Sequence, residues 1–137
     1  LVKLGLFEGI EDFFDRMRES AKIKISFTYD DFEDRFENKT EVMIYRIVQE
    51  LVNNTLKHAS ASEIKLMIKR TPDGLQMNYK DDGMGFDATI VEDPENFGLS
   101  GIKSRVNFLE GAMTVSSVQG QGVHFIISVP LNQTEAV

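Results

Sequence analysis

Residues 45–59, YRIVQELVNNTLKHA, carry two programmes on one helix. Ile44, Ile47, Val48, Leu51, Val52 and Leu56 recur every three or four residues, the spacing of a buried stripe, while Arg46, Glu50, Asn54, Lys57 and His58 recur likewise on another side. Packing accounts for the first stripe only. The second sets a carboxylate, an amide oxygen and a cation one turn apart, which suits a metal ion carrying phosphates, because Glu and Asn supply hard oxygen ligands and Lys a counter-charge. Read alone, such a face is more often simply solvated. Its meaning depends on the glycine motifs further along the chain.

On either side of this helix the hydrophobic period alternates between helix and strand. Leu6, Ile10, Phe13, Phe14, Met17 and Ala21 predict an amphipathic helix, and Ile23, Ile25, Phe27 and Tyr29 then alternate with polar residues as a half-buried strand. An acidic connector over 30–38 follows, with Phe32 and Phe36 placed to plug the core edge and Thr40 to cap the central helix. Beyond that helix come two alternating strands, 63–70 with Ile64, Leu66 and Ile68 inward and 75–81 with Leu75, Met77 and Tyr79 inward, joined by a turn at Pro72, Asp73 and Gly74. The stretch 87–99 has no sustained period and reads as a long loop. Ile102, Val106 and Leu109 predict a last helix that Gly111 stops. Two strands, 112–118 and 123–129, flank a turn at Gly120, Gln121 and Gly122, and the inward set is clear only for the second: Val123, Phe125, Ile127 and Val129. Strands with one apolar and one polar face suit a sheet covered on one side, so the expected fold is a two-layer α/β sandwich of five strands and three helices.

The whole chain sets further bounds. Its 137 residues, 42% of them hydrophobic, suit one domain with its own core. No run approaches the roughly 18 to 20 apolar residues of a membrane span. The net charge of −7 argues against nucleic-acid binding, because attraction to a polyanion comes from a basic surface. Zero cysteines exclude a disulfide scaffold and thiolate chemistry, and are compatible with a cytosolic setting. A start at Leu1 rather than Met suggests a fragment of a longer protein.

Parity singles out one carboxylate. With Leu75, Met77 and Tyr79 inward, Asp81 is inward too, at a strand end beneath the helices, where a buried carboxylate needs a donor. Asp82, Gly83, Met84, Gly85 and Phe86 follow, with glycines that let backbone approach a ligand.

In order, Glu50-x-x-x-Asn54-x-x-Lys57-His58, Asp81-x-Gly83-x-Gly85-Phe86 and Gly98-Leu99-Ser100-x-Ile102-x-x-Arg105 resemble the N, G1 and G2 boxes of the histidine-kinase ATP-binding domain. The runs Tyr45-Arg46-Ile47-x-Gln49-Glu50 and Asn53-Asn54-x-x-Lys57-His58-Ala59 look like the subgroup that signals to response regulators with helix-turn-helix outputs. The resemblance covers about residues 40–130 and implies the same sandwich, with residues 1–5 as the end of a linker from a dimerisation domain and 87–99 as an ATP lid. It implies ATP and Mg²⁺ as cofactors. Asn54 would ligate the ion, with Glu50 beside it or polarising a water. Lys57 and His58 would lie near the phosphates. Asp81 would accept a hydrogen bond from the adenine amine, Gly83 and Gly85 would let the chain pass the base, and Gly98, Leu99 and Ser100 would meet phosphate oxygens. Met84, Phe86 and Ile102 would contact the base or pack in the core.

Two positions depart from the family pattern: Asn96 replaces a lid glycine, and Val123 after Gly122 stands where a threonine is usual. The expected activity is transfer of the γ-phosphoryl group of ATP to a histidine on a dimerisation domain outside this chain, so the chain alone is not expected to autophosphorylate. The expected partners are that domain and a response-regulator receiver. The expected setting is a cytoplasmic domain of a homodimeric parent, whose membrane anchoring is left open. The alternatives are a gyrase-like or chaperone-like ATPase, in which Glu50 activates water, and a nucleotide-dependent partner-binding module of the anti-sigma type.

Overall fold

The computed structural model describes residues 5–32, 36–58, 61–84, 99–118 and 120–131. The elements run α1 (Leu6–Ala21), β1 (Lys24–Tyr29), α2 (Asn38–His58), β2 (Glu63–Arg70), β3 (Gly74–Asp81), α3 (Leu99–Phe108), β4 (Ala112–Val118) and β5 (Gly122–Pro130). The strands form one mixed sheet in the order β1-β2-β3-β5-β4. β1 lies parallel to β2, and the other neighbours are antiparallel. Parallel neighbours need a long crossover, which α2 supplies. β2 and β3 need only a tight turn, closed where the Thr71 N–H donates to the Gly74 carbonyl and the Gly74 N–H donates to Thr71 Oγ1, both at 2.9 Å.

The register stacks the inward residues of successive strands. Leu66 pairs with Tyr79 and Tyr79 with Phe125; Ile68 pairs with Met77 and Met77 with Ile127. All of these are buried in one core together with Ile10, Phe13 and Phe14 of α1, Ile44, Ile47, Val48, Leu51 and Val52 of α2, and Leu99, Ile102 and Val106 of α3. The two-layer α/β sandwich read from the alternation is therefore the fold, with three helices among the described residues. β4 is an edge strand whose Met113 and Val115 are only half-buried, which explains its blurred pattern.

Several local expectations change. Helix α2 starts at Asn38, so Thr40 lies in its first turn and does not cap it. The buried carboxylate of Glu41 instead reaches back and accepts the Phe36 N–H at 3.2 Å. Leu56, expected on the apolar stripe, is 39% exposed, and Thr55 takes the buried place. Ala21 is exposed at the end of α1, and the left-handed backbone there belongs to Lys22, at φ 53°. The last helix is stopped by Glu110, at φ 58°; the Gly111 N–H then returns to the Val106 carbonyl and the Glu110 N–H to that of Asn107, both at 2.9 Å, the bond pair of a Schellman end. Phe32 and Phe36 do plug the core edge, meeting Phe7 at ring-centre distances of 5.4 and 6.2 Å. Tyr29 stacks flat on that same Phe7 ring at 4.4 Å and stays partly open to solvent. Leu4 and residues 87–98 lie outside the described residues.

At the site end of the sheet Asp82 clasps the start of β2. Its carboxylate accepts the Ser62 N–H at 2.8 Å, the Ser62 hydroxyl at 2.5 Å and the Glu63 N–H at 2.9 Å. These bonds favour the ionised form and hold the Asp82 carboxyl below its ordinary range, with the Ser62 hydroxyl the largest cause and the Glu63 N–H the next.

Two outcomes follow from this packing. Leu51→Ala should lower stability by about 2 to 5 kcal/mol through a core cavity, whereas Leu56→Ala should stay within about 0.5 kcal/mol of wild type; urea denaturation of both variants checks the inverted pair. Because the folded-state pKa of Asp82 is depressed, its contribution is present above the unfolded carboxyl range and fades as pH falls from about 4. The melting-temperature deficit of Asp82→Asn should therefore be largest near neutral pH and shrink toward pH ~3; a deficit that is flat with pH would contradict the clasp.

Candidate functional site

Three elements converge at the carboxyl end of β3. Asp81 closes that strand on its buried parity, 8% exposed, paired across the sheet with Ile64 on one side and Val123 on the other. Its Oδ2 accepts the Thr55 hydroxyl of α2 at 2.8 Å, and its Oδ1 accepts the Gly83 N–H at 3.0 Å. The carboxylate thus already has protein donors. An ionised carboxyl offers roughly four lone-pair positions, so acceptor capacity remains for a ligand.

The backbone after Asp81 is pinned by the last hairpin. Gly122 sits at φ 96° with its Cα so close to β3 that an added Cβ would stand 2.1 Å from the Asp81 carbonyl oxygen. Glycine is therefore required there on two counts, handedness and space. The Gly120 N–H donates to the Met84 carbonyl and holds the next turn against the same hairpin.

Above the strand, Thr55 belongs to a buried hydroxyl chain. Its Oγ1 lies 2.6 Å from the Tyr79 hydroxyl, which in turn donates to the Leu51 carbonyl at 3.1 Å. Burial first, and the Asp81 charge in addition, push the Tyr79 hydroxyl far above the ordinary phenol range, so it stays a neutral donor. Neither Thr55 nor Tyr79 was singled out as a site residue from the sequence. A signal was present for Thr55, which stands four residues after Leu51 and eight after Ile47, a polar residue on the apolar stripe.

On its other side α2 faces α3. Arg105 donates through Nη1 to Glu50 Oε1 and, at 3.3 Å, to the Gly101 carbonyl. Gly101 permits the approach, since a Cβ there would stand 2.7 Å from Glu50 Oε2. The motif that contains Arg105 does not reveal its partner; the structure pairs it with Glu50. At about 100° per residue, Asn54 lies between the Glu50 side of α2 and the Thr55 side.

The expected site residues fall as follows. Glu50 and Asn54 are half-buried one turn apart, Lys57 and Ser100 are exposed, and Gly83 is buried beside Asp81. Leu99 and Ile102 have their side chains in the core, and Met84 is 54% exposed. The side chain of His58, together with Gly85, Phe86, Asn96 and Gly98, lies outside the described residues. His124 is half-buried on the other face of the sheet, with Nε2 at 3.3 Å from Asn78 Oδ1 and its pKa lowered by burial and then by Lys80.

The donor set is compatible with Mg²⁺. Among the described residues there is no cluster of three or more His, Asp or Glu side chains that could hold an ion unaided. Asn54 and the Glu50 oxygen that is not paired with Arg105 offer two hard oxygen donors on a half-buried face, which fits a small divalent ion that keeps water and ligand phosphates in most of its coordination positions.

Comparison with known proteins identifies the family and the fold. The family model described as histidine kinase-, DNA gyrase B- and HSP90-like ATPase matches residues 39–133. The signal transduction histidine-protein kinase/phosphatase DegS of Bacillus subtilis (strain 168) is 38% identical over 134 residues, which take in 94% of this chain and 35% of DegS. The sensor histidine kinase ComP of the same organism is 30% identical over 132 residues, 96% of this chain and 17% of ComP. The chain thus spans about a third or less of the length of these relatives. Among solved structures, the blue-light activated histidine kinase EL346 of Erythrobacter litoralis shares the fold with a TM-score of 0.74 at 22% identity, over 92% of this chain and 43% of that one. With the match extending over well more than half of its residues, the chain belongs to the histidine kinase-, DNA gyrase B- and HSP90-like ATPase family.

Proposed function

We propose that this chain is the ATP-binding catalytic domain of a two-component sensor histidine kinase, and that it presents Mg·ATP so that the γ-phosphoryl group passes to a histidine on a dimerisation domain elsewhere in the parent protein. The observation that carries this reading is Asp81: a buried carboxylate at the end of β3, held by Thr55 of α2 and by Gly83, that keeps acceptor capacity. Such a group suits the exocyclic amine of adenine, a neutral donor that can enter a buried pocket. Gly83 lets the backbone pass the base. Asn54 and Glu50 would hold the metal ion, whose chemistry when bound is to neutralise charge on the phosphates. Lys57, exposed on the same side of α2, adds a positive charge there. The first amides of α3, at Leu99 and Ser100, are a ready donor set for phosphate oxygens.

Phosphoryl transfer needs little covalent help from a protein; the chain's contribution is positioning and charge neutralisation. Arg105 engages one of the two Glu50 carboxylate oxygens, Oε1, so Glu50 is held between α2 and α3 with Oε2 outside that ion pair. We assign to the resemblance alone the roles of His58 beside the phosphates, of Gly85 and Phe86 at the base and of Gly98 in a lid over the nucleotide. The acceptor domain, a response-regulator receiver downstream and a cytoplasmic, homodimeric parent belong to the same proposal.

Calorimetry with the intact chain tests the reading. Mg²⁺-dependent ATP binding is expected in wild type and expected to be lost in Asn54→Ala, which should keep its unfolding midpoint. Asp81→Asn should lose about ten- to a hundredfold in ATP affinity, the worth of a hydrogen bond to a charged group, and should discriminate less against GTP. Equal ATP affinity in wild type and both variants would refute the assignment.

A further inference from the structure

The hydroxyls of Thr55 and Tyr79 lie on the helix side of Asp81 with no packing reason to be polar. Thr55 is 3% exposed and Tyr79 fully buried, and valine and phenylalanine would fill the same space. Proton counting orders their bonds. An ionised carboxyl only accepts, so the single Thr55 hydroxyl proton is directed at Asp81 Oδ2. Thr55 Oγ1 must then be the acceptor in its 2.6 Å contact with Tyr79, and the Tyr79 proton is shared between Thr55 and the more distant Leu51 carbonyl.

The placement of Leu51 gives this order a purpose. A threonine inside a helix ordinarily turns its hydroxyl back to the carbonyl four residues earlier, and for Thr55 that carbonyl is Leu51. Here Tyr79, reaching up from β3, occupies the Leu51 carbonyl and at the same time donates into Thr55. The usual back-bond is displaced, and the Thr55 proton is left for Asp81. Across the sheet from Asp81 stands Val123, which has no hydroxyl to offer. Among the described residues Thr55 is therefore the one side chain that donates to this carboxylate.

We propose that Thr55 and Tyr79 are positioning residues that set the base specificity of the site, by fixing the Asp81 carboxylate so that its free lone pairs face the pocket and require a donor. The role rests on the reading of Asp81 as the adenine acceptor. With Oδ2 held by Thr55 and Oδ1 by Gly83, the carboxyl plane cannot turn, although an Asp χ2 is otherwise soft. A base with an amino group at the matching position completes the set, whereas one with a carbonyl there brings oxygen against oxygen. Without Thr55 the carboxylate turns and recruits water, which competes with the amine.

The test compares ATP with purine riboside triphosphate, which lacks only the amine, by calorimetry with Mg²⁺ on the whole chain. Wild type should prefer ATP. Thr55→Val and Tyr79→Phe, which keep shape and remove one hydroxyl each, should lower that preference about three- to tenfold, as expected when a charged hydrogen bond loses its alignment, while affinity for the purine analogue stays put. Thr55→Ser should retain the preference, and two independent hydroxyl deletions guard against one failing to fold. A purely structural role would shift the melting temperature and leave the ATP-to-analogue ratio unchanged; that result, with wild type still preferring ATP, would overturn this inference and leave the proposed function standing. Wild type that binds both nucleotides equally, or neither, would remove the base-acceptor role of Asp81 and this inference with it.

Discussion

A carboxylate on the buried parity of a central strand is expensive unless donors surround it, and the arrangement around Asp81 meets that requirement. β3 lies between β2 and β5, so Asp81 is flanked within the sheet by Ile64 and Val123, neither of which can donate a side-chain hydrogen bond, and its protein donors come from α2 above and from its own following turn. The helix supplies Thr55 and the turn supplies Gly83. Both need the backbone to be held closely: α2 by its apolar stripe on the sheet, the turn by Gly122 and by the Gly120–Met84 bond. Core and site thus share elements, and α2 contributes to both through different sides of one helix.

The second pole of the site is the contact between α2 and α3. Glu50 and Arg105 are 55 residues apart in sequence and joined by an ion pair that is about one-third exposed. An exposed pair would contribute little. Here the Arg105 guanidinium is also held to its own helix by the Gly101 carbonyl, so the partly screened pair with Glu50 links α3 to α2 through a positioned side chain. The start of α3 is in this way tied to the same helix that carries Asn54, so groups suited to a metal ion and groups suited to phosphate oxygens are held on neighbouring elements.

Much of the fold was legible because burial imposes simple periods. Alternation identified Ile64, Leu66 and Ile68, then Leu75, Met77, Tyr79 and Asp81, then Val123, Phe125, Ile127 and Val129, and each of these is buried. The pattern blurs at β4, an edge strand with less to bury, and at the rim of α2, where the apolar Leu56 is exposed and the polar Thr55 is buried. Hydrophobicity is a proxy for burial. It misleads where a polar residue is buried for its hydrogen bonds and an apolar one is left at the edge.

The sequence by itself determined the alternating order of helices and strands, the single-sided sheet and the inward parity of Asp81, because each depends on spacing within one segment. Its glycine and asparagine motifs also carried the family resemblance, since backbone approach and hard oxygen ligands restrict residue type locally. Only the tertiary structure decided that Arg105 meets Glu50, that Tyr79 reaches the Leu51 carbonyl and turns Thr55 toward Asp81, that Gly122 presses on the Asp81 backbone, and that Asp82 clasps β2. Each of these joins residues distant in the chain, and a hydrogen bond depends on distance and angle to a few tenths of an ångström. No period in a sequence encodes that; it arises when the packed helices and the paired strands bring the groups together.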